Sequence, residues 1–288
     1  MTSRALVLAG GGPVGIGWEA GMLKGLADEG IRLADADLIV GTSAGSVVGT
    51  QIASGVTPAE LFNEQLTRVS DAESAPDFTL DLETLIEIGK LWIGGAEVTE
   101  TVRAKIGALA VKAKTLDEEQ WTATFKDSLD STEWPEKRLI ITSVDVNTGE
   151  FLRWDRTSGV PLALAVAASC SVPGILPPVT IDDRRYMDGG VRSVSNADLA
   201  RDYDRVIVIA PSGAADNPFD HNTLRELEAE VAELRAGGST VAMFLPDAEA
   251  LTASGPNRMD VAFLRPAADA GVRQARTIAD QVRAVWEL

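Results

Sequence analysis

A serine set between two glycines is the part of this chain whose spacing most directly indicates chemistry. Ser43 has Gly41 two residues before it and Gly45 two residues after it, and the apolar run Leu38–Val40 leads into them. This is the G-x-S-x-G pattern of a nucleophile elbow, a strand-to-helix turn so tight that side chains at the flanking positions would collide. The turn exposes the serine hydroxyl above a helix N-terminus, where the helix dipole favours an anion. We therefore predict that Ser43 is a catalytic nucleophile.

A serine hydroxyl is a poor nucleophile at neutral pH and needs a base within hydrogen-bond reach. Asp188 is the better of two candidates, because it ends a short predicted strand and is followed by Gly189 and Gly190, which allow close backbone approach. Its ordinary pKa of about 3.9 would have to be raised by a site that excludes water. The single histidine, His221, lies in a polar stretch that we predict to be an exposed loop. An isolated Asp-Gly-Gly is also a common turn, and that interpretation stays open at this point.

Acyl transfer also requires donors for an oxyanion, usually backbone N–H groups. The glycine-rich segment Gly10–Gly15 follows the first predicted strand and precedes a predicted helix. Glycines leave their amides uncovered, and we predict that Gly11 and Gly12 donate to the oxyanion. Pro13 has no N–H and cannot contribute.

The same segment also fits the dinucleotide fingerprint G-x-G-x-x-G, through Gly10, Gly12 and Gly15. That motif expects an acidic residue at the end of the second strand, where it binds the ribose hydroxyls. Here Asp35 and Asp37 precede the second predicted strand instead of ending it. We therefore expect no nucleotide-binding domain, and we predict no cofactor and no metal ion.

Composition and charge restrict the partners. The 288 residues have 45% hydrophobic and 24% charged residues and a net charge of −17, which is typical of a globular protein and argues against binding nucleic acid or anionic lipid. No apolar run reaches the roughly 20 residues of a membrane span, so we expect at most peripheral membrane contact. Cys170 is the single cysteine, which excludes an internal disulfide, and no signal peptide is recognisable. These features predict a cytoplasmic protein, and nothing in them specifies its oligomeric state.

The order of predicted elements indicates the fold class. A strand–helix–strand–helix opening predicts an α/β fold with a parallel sheet. No clear strand occurs between about residues 57 and 136, which predicts a helical insertion within one domain of residues 1–288. Trp92, Trp121 and Phe125 of this insertion either line an apolar entrance to the site or, more simply, form the core of its own helices.

The first predicted helix carries glycines at four-residue spacing, at Gly17, Gly21 and Gly25. Each costs about 1 kcal/mol relative to alanine in a helix interior. We therefore predict that this bare face of the helix packs very close to the sheet.

The motifs together resemble those of the patatin-like phospholipases, a family that includes many bacterial esterases. The glycine-rich loop, G-x-S-x-G and Asp-Gly-Gly occur in that family's order. Two further segments are similar to family blocks, namely Asp145–Glu150 and Ala168–Gly174 with Pro177–Val179. The resemblance covers roughly residues 5–210. It implies a three-layer α/β/α fold with a mostly parallel sheet and a Ser43–Asp188 dyad that works without histidine.

The chain departs from the family pattern at two places. Val14 stands where many members have a basic residue that is thought to meet a lipid phosphate, and residues 191–196 replace the usual Asn and Pro after Asp-Gly-Gly. The resemblance therefore implies hydrolysis of an acyl ester, of a lipid or lysophospholipid, more than a particular phospholipid. Two alternatives remain, a Ser43–Asp188–His221 triad in the chain order of α/β-hydrolases and an interaction module whose catalysis has lapsed.

Overall fold

The computed structural model describes residues 2–70, 81–93, 98–129, 133–213 and 218–287. Within these ranges eight strands form one sheet. The strands are β1 Arg4–Leu8, β2 Leu38–Gly41, β3 Arg138–Asp145, β4 Phe151–Trp154, β5 Val179–Ile181, β6 Arg184–Asp188, β7 Arg205–Ile209 and β8 Thr240–Phe244. The α-helices are α1 Gly12–Asp28, α2 Ala44–Ala53, α3 Pro58–Ser70, α4 Leu82–Ile93, α5 Glu100–Ala110, α6 Glu118–Ser128, α7 Leu162–Ser169, α8 Pro218–Ala236, α9 Ala248–Ala253 and α10 Leu264–Trp286.

The sheet is mostly parallel, as the sequence predicts. Its strand order is β5-β6-β3-β2-β1-β7-β8, with β4 paired to β3. The five strands from β3 to β8 in this order run parallel, and β4, β5 and β6 are antiparallel to their neighbours. Parallel strands bring the loops after their carboxyl ends to one edge, which is where open α/β sheets bind ligands. The glycine-rich loop after β1 and the elbow after β2 are therefore neighbours.

The central strands are buried on both faces and send alternate residues to each side, as the two-residue period of a strand requires. In β1, Leu6 and Leu8 face a core that they share with α1, α2, α7 and α10. Ala5 and Val7 face the opposite core, to which α8 contributes Leu227. Helices thus cover both faces, and the chain has the three-layer α/β/α architecture.

The register of β6 sets the height of Asp188 relative to the elbow. Gly41 pairs with Ile141 between β2 and β3, and Ser143, two residues further along β3, pairs with Asp188 of β6. Ser43 is likewise two residues beyond Gly41. Pairing across the sheet therefore brings Asp188 level with Ser43, although 145 positions separate them in sequence.

The glycine stripe of α1 packs against α10, so our prediction that it faces the sheet is wrong. A β-carbon at Gly17 would lie 3.1 Å from the Leu264 side chain, and one at Gly21 would overlap the Ala268 carbonyl of α10. On α10, Gly271 approaches the Trp18 carbonyl in the same way. The two helices thus cross in close backbone contact, and the glycines serve a helix–helix interface.

Helices α3 to α6 occupy the chain between α2 and β3, where we expect the helical insertion. The first of them begins with the capping box that the sequence predicts, since the Glu60 carboxylate accepts from the Thr57 amide at 2.9 Å and the Glu60 amide donates back to the Thr57 hydroxyl. Phe125 is buried in the core beside the sheet, Trp121 packs against that core, and Trp92 packs against a smaller cluster around Ile106. These contacts favour the core interpretation of the three aromatic residues.

Candidate active site

Ser43 occupies the turn between β2 and α2 in a strained conformation. Its φ is +52° and its ψ is −118°, a region that residues with a side chain rarely adopt and that is often found at functional sites. A β-carbon at Gly41 would lie 2.6 Å from the Gly45 carbonyl oxygen, and one at Gly45 would overlap the Leu8 carbonyl. The steric requirement that the motif predicts for these two glycines is therefore present in the structure.

Asp188 ends β6 beside Ser43, and both side chains are buried. Ser43 is 7% exposed and Asp188 is 3% exposed. The Ser43 hydroxyl lies close enough to the Asp188 carboxylate to lower its pKa, and the Gly190 amide donates to Asp188 Oδ1 at 2.7 Å. A β-carbon at Gly189 would meet the Thr142 side chain, so the first glycine after the aspartate is needed for strand packing.

Burial is the dominant influence on the Asp188 carboxyl. Removal from water raises the pKa of Asp188 to about 7, and the donors Gly190 N–H and Ser43 O–H offset only part of this rise. A carboxylate with a pKa near neutrality can both accept and return a proton at physiological pH. The site thus has the water-poor environment that an aspartate needs to act as a general base.

The glycine-rich loop lies directly against Ser43. A β-carbon at Gly10 would be 3.3 Å from Ser43 Cβ. The Gly10 amide is already occupied, since it donates to the Val194 carbonyl at 2.8 Å. The amides of Gly11 and Gly12, at the start of α1, donate to no acceptor in the described part of the chain. The amides of Gly11 and Gly12 are therefore available as oxyanion donors, whereas the amide of Gly10 is not.

Two prolines and a distant loop hold these amides in place. Gly12 has a φ of +63°, which favours glycine, and a β-carbon there would lie 2.8 Å from the Arg258 carbonyl. A β-carbon at Gly15 would be 2.9 Å from the Pro211 ring, and Pro13 lies in the first turn of α1, where its missing N–H leaves no donor without an acceptor. The carbonyl of Arg258 also accepts from the Val14 amide at 3.2 Å.

The segment Ser169–Ser171, which the sequence analysis noted as similar to a family block without giving it a role at the site, contacts the backbone of both Ser43 and Asp188. Ser169 Oγ accepts from the Ser43 amide at 2.9 Å, and the Cys170 thiol donates to the Ser43 carbonyl at 3.3 Å. The Ser171 carbonyl accepts from the Asp188 amide at 3.0 Å. Burial and the nearby Asp188 charge raise the pKa of the Cys170 thiol, so Cys170 stays neutral.

Asn196 is a second residue that sequence reasoning missed. It is fully buried with a φ of +50°, and its amide donates to the Thr42 hydroxyl at 3.0 Å and to the Ser193 carbonyl at 2.8 Å. Thr42 Oγ1 also lies 2.8 Å from Thr142 Oγ1. Asn196 thereby links the residue before the nucleophile to the loop that follows Asp188. No motif identifies it, because its spacing from Asp-Gly-Gly matches no pattern that we recognised.

His221 lies in the first turn of α8, which begins at Pro218. We predicted a loop at this position, and that prediction is wrong for the backbone, which is already helical there. Proline at the first helical position fits such a start. The His221 side chain lies outside the described residues.

Two features of the described residues concern a membrane and a metal ion as possible partners. None of the helices there is both long and apolar enough to cross a lipid bilayer. No group of three or more histidine, cysteine, aspartate or glutamate side chains in the described ranges could hold a metal ion.

The chain was compared with curated proteins, solved structures and family models. No curated protein matches the sequence. Among solved structures, VipD from Legionella pneumophila is 13% identical with a TM-score of 0.48, over 97% of this chain and 67% of VipD. ExoU, in its complex with SpcU from the type III secretion system of Pseudomonas aeruginosa, is 17% identical with a TM-score of 0.40, over 98% of this chain and 52% of the other. The chain thus spans about half to two thirds of these structures.

The model of the patatin-like phospholipase family matches residues 6–201. The match includes the glycine-rich loop, the serine elbow and Asp-Gly-Gly. It extends over more than half of the 288 residues. The chain belongs to the patatin-like phospholipase family.

Proposed function

We propose that this protein hydrolyses acyl esters of a lipid or lysophospholipid through a Ser43–Asp188 dyad and an acyl-enzyme intermediate. Family membership supports lipid-ester hydrolysis in general. One observation carries the finer proposal. The hydroxyl of Ser43, whose backbone is strained, contacts the buried Asp188 carboxylate with its pKa of about 7, beside two glycine amides that have no acceptor in the described residues.

The reaction begins when Asp188 accepts the proton of Ser43 and Ser43 Oγ forms a bond to the ester carbonyl carbon. The carbonyl oxygen becomes the oxyanion and accepts from the Gly11 and Gly12 amides, with Ala44 N–H as a third donor, since that amide also has no acceptor in the described chain. The carbon–oxygen bond to the alcohol then breaks, and Asp188 returns the proton to the leaving alkoxide. The acyl group remains on Ser43.

Deacylation repeats the same steps with water. Asp188 accepts a proton from the water as its oxygen attacks the acyl carbon, and the same amides hold the second oxyanion. The bond to Ser43 Oγ breaks, the proton passes to Ser43, and the carboxylic acid leaves. No histidine, cofactor or metal ion takes part in the proposed cycle.

The charge of the protein favours an uncharged or zwitterionic substrate. The net charge is −17, which opposes approach to an anionic bilayer. The glycine-rich loop has Val14 in place of a cation. We therefore propose a neutral lipid, a lysolipid or a soluble ester as substrate, with at most peripheral membrane contact.

Two further proposals concern the domain organisation of the chain and its location in the cell. Residues 1–288 form one hydrolase domain in which the helices between about residues 57 and 136 are an insertion. The second proposal is a cytoplasmic location, with which the single, buried thiol of Cys170 is compatible. Limited proteolysis tests the first proposal, and cell fractionation tests the second.

A fluorophosphonate probe and a panel of p-nitrophenyl esters with different acyl lengths test the reaction. We expect the probe to label Ser43, and we expect Ser43→Ala to abolish both labelling and turnover. Ser54→Ala is the matched control, because Ser54 is exposed at the end of the same helix, and it should retain full activity. Unchanged hydrolysis by purified Ser43→Ala protein would end the proposal.

The triad alternative is tested by His221→Ala. The dyad predicts activity within about twofold of the native enzyme, whereas a triad predicts a loss of several orders of magnitude. Failure of the native protein to hydrolyse any ester of the panel would favour the interpretation as a lapsed interaction module.

A further inference from the structure

The amide of the nucleophile itself has one acceptor in the described part of the chain, the side-chain oxygen of Ser169. The carbonyl of Ser43 is different, because it accepts from the Ser46 hydroxyl at 2.7 Å, from the Ser46 amide at 2.8 Å and from the Cys170 thiol. Loss of any one donor would leave that carbonyl bonded. Loss of Ser169 Oγ would leave the Ser43 N–H without an acceptor in a site where water has little access.

The direction of this amide matters for the reaction. Ser43 has a positive φ, and rotation about its N–Cα and Cα–C bonds would swing the Cα–Cβ bond away from Asp188. A hydrogen bond to the amide restrains that rotation directly. It also turns the Ser43 N–H away from the substrate, so that the oxyanion is left to the amides of Gly11, Gly12 and Ala44.

Ser169 is itself held firmly. It is the last residue of α7 and is fully buried, and the two residues after it bond to Ser43 and Asp188 as described above. Trp121 of α6 adds a further restraint, since its indole N–H donates to Ser171 Oγ at 3.1 Å. These contacts fix the backbone of Ser169, so a displacement of the Ser43 amide would break its hydrogen bond to Ser169 Oγ.

We propose that Ser169 is a positioning residue for the acyl-transfer reaction: its hydroxyl oxygen holds the Ser43 peptide so that the nucleophilic oxygen points at Asp188. This inference rests on the proposed role of Ser43. It adds a residue from a different segment, 126 positions away in sequence, which none of the three sequence motifs contains.

Steady-state kinetics of Ser169→Ala on a short soluble ester test the proposal. Misplacement of a reacting atom by about 1 Å can cost about 100-fold in rate, and we expect kcat to fall by roughly 10- to 100-fold with KM within about twofold. The midpoint of the pH–rate profile should rise and not fall, because Asp188 remains buried while a misplaced Ser43 hydroxyl no longer lowers its pKa. Ser169→Thr keeps the oxygen and should restore kcat.

The matched control is Thr50→Val. Thr50 is buried on α2, and its hydroxyl has no hydrogen-bond partner within the described residues. This variant also removes one buried hydroxyl from the helix that follows the elbow, but it leaves the Ser43 amide alone, and its kcat should be native. If Ser169→Ala does not fold, Ser169→Cys, with its weak sulfur acceptor, should give an intermediate kcat.

Amide hydrogen exchange at Ser43 gives a measurement that does not depend on turnover. We expect exchange of the Ser43 N–H to accelerate at least about tenfold in Ser169→Ala, with neighbouring helical amides unchanged. Native exchange at Ser43, or a native kcat in Ser169→Ala, would overturn the proposal. Absence of ester hydrolysis by the native protein would instead refute the proposed function, and the exchange data would still decide whether Ser169 holds Ser43.

Discussion

Replacement of Asp188 by asparagine should abolish catalysis and at the same time stabilise the protein in alkaline solution. The carboxylate is 3% exposed, and burial raises its pKa from the ordinary 3.8 to about 7. A carboxyl whose folded pKa exceeds its unfolded pKa binds a proton more tightly in the native state. Its contribution to stability is therefore complete below about pH 4 and is lost as the pH rises through about 7.

The size of the effect follows from the shift. Each pKa unit corresponds to about 1.36 kcal/mol, so the ionised side chain costs the native state about 4 kcal/mol above pH 8. Between pH 5 and pH 8 the change is roughly 2.5 kcal/mol. Asparagine carries no charge at any of these pH values, and its side-chain oxygen can still accept from Gly190, so it avoids the ionisation cost.

Thermal unfolding of the native protein and of Asp188→Asn, measured side by side from pH 5 to pH 8, is the assay. For a chain of this size 1 kcal/mol corresponds to roughly 2 °C in Tm. The Tm of the variant relative to the native protein should therefore rise by about 5 °C over this range. Ser54→Ala, with an exposed side chain, should show no such trend. A Tm difference that does not change with pH would show that Asp188 is ionised in the native state over the whole range, so that its pKa is not raised, and would refute the argument from burial.

Three further predictions follow from the same contacts. The kcat/KM of the native enzyme should rise about tenfold per pH unit below about pH 7 and level off above it, because Asp188 must be ionised to accept a proton; a flat profile from pH 5 to pH 8 would contradict this. Asn196→Ala should lower the free energy of unfolding by about 2–3 kcal/mol in chemical denaturation, since buried donors and acceptors around Thr42 and Arg192 lose their partner; a loss below about 0.5 kcal/mol would show that the network is dispensable. Gly21→Ala should destabilise by more than about 3 kcal/mol because its methyl group would overlap the Ala268 backbone, whereas Gly89→Ala, in open space on α4, should be neutral or stabilising by up to about 1 kcal/mol; equal effects of the two substitutions on Tm would contradict the packing argument.

The sequence was most informative where chemistry depends on neighbouring residues. A nucleophile elbow requires glycines at fixed positions around its serine, so the pentapeptide, together with the apolar strand before it and the helical segment after it, predicts the strained turn. The mostly parallel sheet follows from strands that alternate with helices. The start of α8 was missed because Asp220–Asn222 is polar, and polarity at a helix start resembles a loop.

The residues that sequence reasoning missed act over long separations. Ser169 lies 126 positions from Ser43, and Asn196 lies 154 positions from Thr42. Serine and asparagine are common on protein surfaces, and only the fold shows that these two are buried and directed at the elbow. The glycine stripe of α1 is similar, because the spacing indicates a close neighbour and cannot identify it as α10 instead of the sheet.

The two residues that we propose to react both oppose folding, each for its own reason. Ser43 holds an unfavourable backbone conformation, and Asp188 loses its solvation when it ionises. Several contacts fix the positions of Ser43 and Asp188 and offset these costs. They come from Ser169, Ser171, Gly190 and Asn196. Substitutions should therefore fall into two groups according to their effect on stability. Removal of the Asp188 charge should stabilise the fold while it abolishes turnover, whereas removal of the Ser169 or Asn196 side chain should lower both stability and turnover. We expect Asp188→Asn to be inactive but more stable, and Asn196→Ala to be less stable. This pair of results would distinguish residues that react from residues that position them, whereas a loss of activity alone would not.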